Sequence, residues 1–385
     1  MWTSYIISRE ALGALSGVFE QQLQEGLGAW GRQVACLPSQ LLRAPTMPVG
    51  QAAVLDLGGS NLRSALVTVA PGQPPLVTGL TRCAIRGPAL ASREAFFDLQ
   101  ARQLAPVLGP GAPLGYCFSY PFEALPGGDA RLLSWTKELT VPGVEGELVG
   151  DLLRQALGRL GLEAGPITVL NDTVAVLLAG TLSSAPAPGT AQAGLIVGTG
   201  TNLAAFFPSA LLPKVPAFSG LMAVNLESGN LDPSCVLGPA DRTLDGASEK
   251  PGRQRFEKAV SGGYLARLLL AELPQAPLAP AEGSAGLWRL VQDEGAPQAQ
   301  RALARCLLER SADLVAAALL ALARTVLPGG GTLEVTAEGG LVEGVPFYGP
   351  RLEESYLSMS GSRWKLALGR VSGANLLGSA AAALA

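Results

Sequence analysis

The chain contains no histidine, and that absence removes whole mechanisms. No Ser-His-Asp triad, phosphohistidine intermediate or His-ligated zinc site can form. Proton transfer near neutral pH then falls to a carboxylate, a lysine, a tyrosine or a thiolate. Charge is also sparse, at 15% Asp, Glu, Lys and Arg where ordinary domains carry about 25%. With 48% hydrophobic residues, the composition predicts a compact globular protein with long buried elements. Its 385 residues exceed the roughly 100–200 of one domain, so two lobes are expected. The formal net charge of −3 leaves no basic footprint, which argues against nucleic acid or an anionic membrane as partner. Any phosphate must be held locally.

Long apolar runs are missing as well. None reaches the ~18 residues of a membrane span, and the longest helical candidate, 313–327, is interrupted by Arg324. The N-terminal MWTSYIISRE lacks the basic flank and apolar segment of a signal peptide. Cysteine is scarce: Cys36, Cys83, Cys117, Cys235 and Cys306 are an odd number without CxxC spacing. That pattern suits reduced thiols serving as small core residues. The expectation is a soluble, cytoplasmic protein. Two familiar nucleotide signatures are absent too. There is no GxxxxGK[ST], and GTGTNL lacks the third glycine of GxGxxG and no helix-like segment follows it.

What is present alternates between α and β patterns. Helices are expected at 8–30, 93–107, from about 145, 257–270, 300–327 and 374–384, with a loop-rich stretch at 208–256. The stretch PITVLNDTVAVLLAGT, 166–181, changes from β-branched to helix-like at Asn171, Asp172 and Thr173. A carboxylate at such a strand-to-helix turn is aimed at a cleft, although an Asn-Asp pair alone is usually a turn or helix N-cap. Three segments read as strand, turn and strand: 52–70, 194–207 and 332–344. The first two share a pattern, VLDLGGSNL ending at Leu62 and LIVGTGTNL ending at Leu203, which suits two lobes that each begin with a similar hairpin. Glycine turns expose backbone N–H groups that hold phosphate oxygens without net positive charge. Asp56, just ahead of Gly58 and Gly59, is a hard oxygen ligand where Mg²⁺ on those phosphates would sit, directly or through water. Ser60, Asn61 and Arg63 add donors.

Taken together, LDLGGSNLR, FSYP (118–121), SWTK (134–137), VEGE (144–147), LNDTV (170–174), GLIVGTGTN (194–202) and PGRQRFEKAVSGGYL (251–265) resemble, in order, the successive motifs of the hexokinase family. The resemblance runs from about Leu37 to Gly378. It implies an α/β, two-lobed fold of the actin-like ATPase superfamily, each lobe a ribonuclease-H-like mixed β-sheet with flanking helices. The large lobe is expected at 1–47 and 173–371, the small lobe at 48–172 and 372–385. The implied activity is transfer of phosphate from ATP, with Mg²⁺, to the 6-hydroxyl of a hexose, glucose first among them. That would give hexose 6-phosphate and ADP and feed glycolysis. Rotation of the small lobe on sugar binding would exclude water that could otherwise take the γ-phosphate.

The resemblance also implies residue roles. Asp172 matches the catalytic base and Lys137 a cation facing the transferred group. Ser119, Thr136, Lys137, Asn171, Asp172, Asn202, Glu227 and Glu257 match sugar-binding positions, with Gln254 behind them. Asp56, Gly58, Gly59, Ser60, Asn61, Arg63, Thr199 and Gly200 match positions around the phosphates and metal, and AEGG (337–340) the adenosine. Three departures stand out. Ser228 replaces a tryptophan common after the Glu227 position, the loop between Tyr120 and Trp135 is short, and VSGANLLGSAAA departs from DGSGxGAA. A non-catalytic sugar-binding regulator of the same fold, or a kinase for fructose, mannose or an acylated or amino sugar, remains a rival reading. The sequence does not choose an oligomeric state.

Overall fold

Ser8 opens the first helix, its hydroxyl accepting from the Ala11 N–H to satisfy one orphan donor of α1 (Arg9–Gly28). The computed structural model describes residues 2, 5–58, 61–135, 139–182 and 187–385. After α1 come β1 (Leu37–Leu42), β2 (Gly50–Leu57), β3 (Asn61–Val69), β4 (Leu76–Ala84) and α2 (Arg93–Leu104). Next are β5 (Ala112–Phe118), β6 (Phe122–Ala124), β7 (Ala130–Leu132), α3 (Val149–Arg159), β8 (Ala164–Leu170) and α4 (Asp172–Thr181). The chain continues through β9 (Thr190–Val197), β10 (Thr201–Pro208), β11 (Leu221–Asn225), α5 (Pro239–Gly246), α6 (Arg255–Val260) and α7 (Gly262–Glu272). It ends with α8 (Gly283–Gln292), α9 (Gln298–Val326), β12 (Gly331–Glu338), α10 (Gly340–Gly344), α11 (Tyr348–Ser360), β13 (Trp364–Gly369) and α12 (Ala374–Leu384).

These elements fall into two units. The first comprises Met1–Cys36, Ala187–Phe218 and Leu226–Arg370, the second Leu37–Pro186, Ser219–Asn225 and Val371–Ala385. In the second unit the strand order is β4-β3-β2-β5-β8, antiparallel from β4 to β2 and parallel from β2 through β5 to β8. Successive side chains on β5 point to opposite faces. Tyr116 therefore meets Gln100 of α2, while Gly115 meets Ser379 of α12. In the first unit β9 and β10 form an antiparallel hairpin, and β12 and β13 add parallel strands beyond β9. Helices α1, α8 and α11 pack on the long α9, whose middle is a buried run of Ala and Leu. Each unit thus carries a hairpin, as the paired motifs predict, whose first strand is extended by parallel strands into the mixed sheet that the resemblance implies.

The unit boundaries differ from the expected lobes at 37–47, 173–186, 219–225 and Val371. Strand β1 pairs antiparallel with β11, and α4 packs along α12, so both sit in the second unit. The α4–α12 approach is close: a Cβ on Gly378 would lie 1.8 Å from the Ala175 carbonyl oxygen. Helix propensity alone predicts that Gly378→Ala stabilises by about 1 kcal/mol. Here the obstacle is backbone and cannot rotate away, so the variant is expected to lose about 1–3 kcal/mol. A thermal melt checks the sign, and a raised Tm would contradict the packing argument.

Several sequence expectations need correction. The segment 332–344 is a strand followed by α10, because Gly339 at φ +119 turns the chain out of the sheet. The helix expected at 257–270 is two helices broken at Ser261, which is extended at φ −81 and ψ 145. The loop-rich 208–256 contains β11 and α5. Cys36 and Cys117 are buried as expected, but Cys235 is exposed. Among the described residues no helix is long and apolar enough to cross a membrane.

Candidate active site

In the second unit, the parallel strands β2, β5 and β8 bring their C-terminal ends together, where open α/β sheets place ligands. Asp56 of β2 stands beside Cys117 of β5, and Cys117 beside Leu170 of β8. Leu170 leads directly into Asn171 and Asp172. Asn171 is the N-cap of α4, its side chain accepting from the Thr173 N–H at 2.9 Å. Asp172 is the first helical residue. Its Oδ1 accepts from the Thr173 N–H at 2.8 Å and the Thr173 hydroxyl at 3.2 Å, so the carboxylate is oriented by its own helix. Ser119, 6% exposed, follows β5 and donates its N–H to the Leu57 carbonyl.

Asp56 is only 3% exposed. Its Oδ2 accepts from Arg63, which lies opposite on β3, with Nε at 2.7 Å and Nη2 closing a second bond. Burial pushes the Asp56 carboxyl above its ordinary value, against the opposing pull of Arg63 and of the Cys117 thiol. Cys117 is itself held far on the thiol side by burial and by the charges of Asp56 and Asp172. It therefore acts as a neutral weak donor near two carboxylates. The β2–β3 turn is closed by Gly58 N–H to the Asn61 carbonyl at 3.0 Å, and the Tyr120 hydroxyl donates to the Gly58 carbonyl at 3.2 Å. Asn61 Oδ1 accepts from Arg82 Nε.

In the first unit, a second group forms where β10 begins. Asn202 Oδ1 accepts from Leu203 N–H at 2.8 Å and from Ser228 N–H at 3.1 Å, which ties the turn after Leu226 to the strand. Glu227 on that turn is left-handed at φ 55 and ψ 42, a conformation costly for a non-glycine residue. Glu257 Oε2 accepts from the Thr201 N–H at 3.1 Å. One hydrogen-bonded frame thus gathers Asn202, Glu227 and Glu257. Beside it, Gly262 N–H donates to the Gly198 carbonyl at 2.7 Å. A Cβ on Gly263 would lie 3.0 Å from the Thr199 carbonyl, and one on Gly339 2.5 Å from that of Val197. Three backbone segments, at 198–200, 262–263 and 339–340, thereby pack against one another more closely than a Cβ at these glycines would allow.

The structure therefore gathers Asp56, Gly58, Asn61, Arg63, Ser119, Asn171 and Asp172 in the second unit, and Thr199, Gly200, Asn202, Glu227 and Glu257 in the first. Gly59, Ser60, Thr136 and Lys137 lie outside the described residues. Sequence reasoning missed the place of Cys117 between the two carboxylates. It also missed Gly262 and Gly263 as the partner of the Gly198 turn, though the repeated glycine after Ser261 was a visible signal.

Hexokinase family models match residues 2–182 and 192–279. The chain belongs to the hexokinase family. Over 276 residues it is 32% identical to mouse Hexokinase-3, a match spanning 68% of this chain and 29% of that one. It is 31% identical over 301 residues to Hexokinase-2 of Candida albicans, spanning 70% of this chain and 60% of that one. The chain thus spans less than two thirds of these relatives' lengths. In fold it is similar to a hexokinase from Schistosoma mansoni complexed with glucose, with a TM-score of 0.83 at 23% identity, covering 99% of this chain and 96% of that one.

Proposed function

We propose that this hexokinase-family chain transfers the γ-phosphoryl group of ATP to the 6-hydroxyl of a hexose, with glucose the first candidate. The observation that carries this reading is the pair of carboxylates at the C-terminal ends of the two strands that flank β5, Asp56 tied to Arg63 and Asp172 oriented by Thr173. Asp172 accepts the proton of the attacking hydroxyl, and positioning with electrostatics supplies most of the acceleration. Asn202, Glu227 and Glu257 hold ring hydroxyls, because carboxylates accept and an amide both donates and accepts. Ser119, Asn171 and Thr136 complete that set, and Lys137 neutralises charge developing on the transferred group.

The glycine cluster fits a nucleotide, since backbone segments packed too closely for a Cβ present N–H groups rather than side chains to a phosphate. Gly58, Gly59, Ser60, Asn61, Thr199 and Gly200 would hold the phosphates, with Arg63 beside Asp56 and residues 337–340 near the adenosine. Asp56 would hold Mg²⁺ directly or through water. Among the described residues no cluster of three or more ligating side chains exists. Mg²⁺ takes one or two carboxylates and completes its shell with phosphate oxygens and water. Bound there, it would neutralise phosphate charge.

A coupled ADP-release assay over glucose, mannose, fructose and amino sugars tests the reading. Sugar-dependent ADP release at a kinase-like turnover of about 1–100 s⁻¹ is expected. Hexose binding without ADP release for every sugar and phosphate donor would replace the enzyme with a sugar-binding regulator.

A further inference from the structure

Helix α6 spans only Arg255–Val260, yet it carries Glu257. A helix that short has no stable orientation of its own in water. Part of what fixes it is apolar: Phe256 is 1% exposed and sits edge-on to Phe19 at 5.3 Å. A greasy ring anchors a helix but tolerates some rotation about its axis. The backbone is tied at both ends, by Phe256 N–H to the Leu231 carbonyl at 3.1 Å and by Ser311 Oγ to the Val260 carbonyl at 2.6 Å, and the polar side chains add an ionic constraint. Arg255 and Lys258, three residues apart, share one face, and Glu257 projects across the helix from them.

Lys258 is 5% exposed. Its Nζ donates to Asp245 Oδ1 at 2.5 Å, Ser248 Oγ at 2.8 Å and the Lys250 carbonyl at 2.8 Å, which uses all three ammonium donors. Arg255 Nε reaches Asp245 Oδ2 at 3.3 Å, and its Nη1 reaches Asp232 Oδ2 at 3.1 Å and Ser234 Oγ at 3.0 Å. Asp245 also accepts from the Gly252 N–H at 3.1 Å, closing the loop that leads into α6. Burial would raise the Asp245 carboxyl, but Lys258, Gly252 and Arg255 together hold it below its ordinary value. On the far side, Glu257 Oε2 takes the Thr201 N–H at 3.1 Å, and a Cβ on Gly200 would lie 2.7 Å from that same oxygen. Turning α6 would pull the carboxylate off Thr201 or press it into the hairpin.

We propose that Lys258 is a positioning residue for the hexose: clamped by Asp245, Ser248 and the Lys250 carbonyl, it sets the rotation of α6 and thereby the place of the Glu257 carboxylate. This rests on the reading of Glu257 as a hexose ligand. The role differs from general stability because it acts on one substrate.

Steady-state kinetics of the full chain, with hexose and ATP varied separately, separate the two. Lys258→Met is expected to raise KM for hexose by about ten- to a hundredfold. Its kcat at saturating hexose and its KM for ATP should stay within about threefold, the pattern of lost ground-state binding. Asp245→Asn should reproduce that split, and the double variant should add little to the larger single effect. Lys258→Arg, which keeps the charge, should recover part of the loss. Should Lys258→Met fail to fold, Ser248→Ala removes one acceptor from the clamp and should raise hexose KM more modestly, with ATP KM unchanged. Glu257→Gln serves as the reference. A wild-type hexose KM in that variant overturns the hexose role of Glu257. A raised KM there, with wild-type hexose KM in Lys258→Met, or in Ser248→Ala where Lys258→Met does not fold, overturns the positioning role alone. A proportional change in every kinetic constant of Lys258→Met also overturns it.

Discussion

Asp172→Ala is expected to lower turnover by about 10²–10⁴-fold while hexose still binds. The carboxylate is the only part of the proposed machinery that accepts the hydroxyl proton, and no histidine exists to substitute for it. Its removal costs the fold little. Asn171 still caps α4 through Thr173 N–H, so the lost Asp172–Thr173 bonds are worth about 0.5–1.5 kcal/mol. Activity and stability are therefore separable in this variant. Turnover measured by ADP release, alongside calorimetric titration with hexose, provides the check. Near-normal turnover would remove Asp172 from the role of base, and loss of hexose binding with a full fold would make it a sugar ligand first.

Asp241→Ala should be the most destabilising single change, by about 3–5 kcal/mol. Arg310, in the middle of α9, has only 1% of its side chain exposed and Asp241 4%. Arg310 Nη1 and Nη2 each donate to one Asp241 oxygen at 2.8 Å, and Tyr5 lies over the guanidinium at 5.0 Å. The Gly238 N–H at the start of α5 also uses Asp241, at 3.0 Å. Without Asp241 the buried cation keeps, among the described residues, only the Ala259 carbonyl at 3.4 Å and the Tyr5 ring, so the cost is the uncompensated charge rather than the worth of the pair. Replacing both partners, Asp241→Leu with Arg310→Met, should recover most of the loss. Urea denaturation measures each corner of that cycle. A loss below about 1 kcal/mol for Asp241→Ala would mean that water reaches the guanidinium, as it does in surface pairs.

Some of this was legible along the chain because its causes are short-range. The hairpins around Gly58 and Gly198 and the closing helix at 374–384 follow from glycine turns and apolar periodicity within a few residues. Strand β1 was not legible. Pro38 argues for a loop, and only pairing with β11, far along the sequence, makes 37–42 a strand. The break at Ser261 was hidden because both α6 and α7 have helical periodicity, and the reason for the break is the Gly262–Gly198 hydrogen bond.

By itself the sequence determined the chemistry available and the motif order: no imidazole, a carboxylate at a strand-to-helix turn, two glycine hairpins, and the resemblance that made Asp172 specific. Only the tertiary structure decided what those groups touch. It set Arg63 on Asp56 and Cys117 beside it, tied Asn202 to Ser228 and Glu257 to Thr201, and wrapped Asp245 around Lys258. The physical reason is range. Turns and caps are written in dihedral preferences a few residues long, whereas a buried charge finds its partner through the whole packed fold.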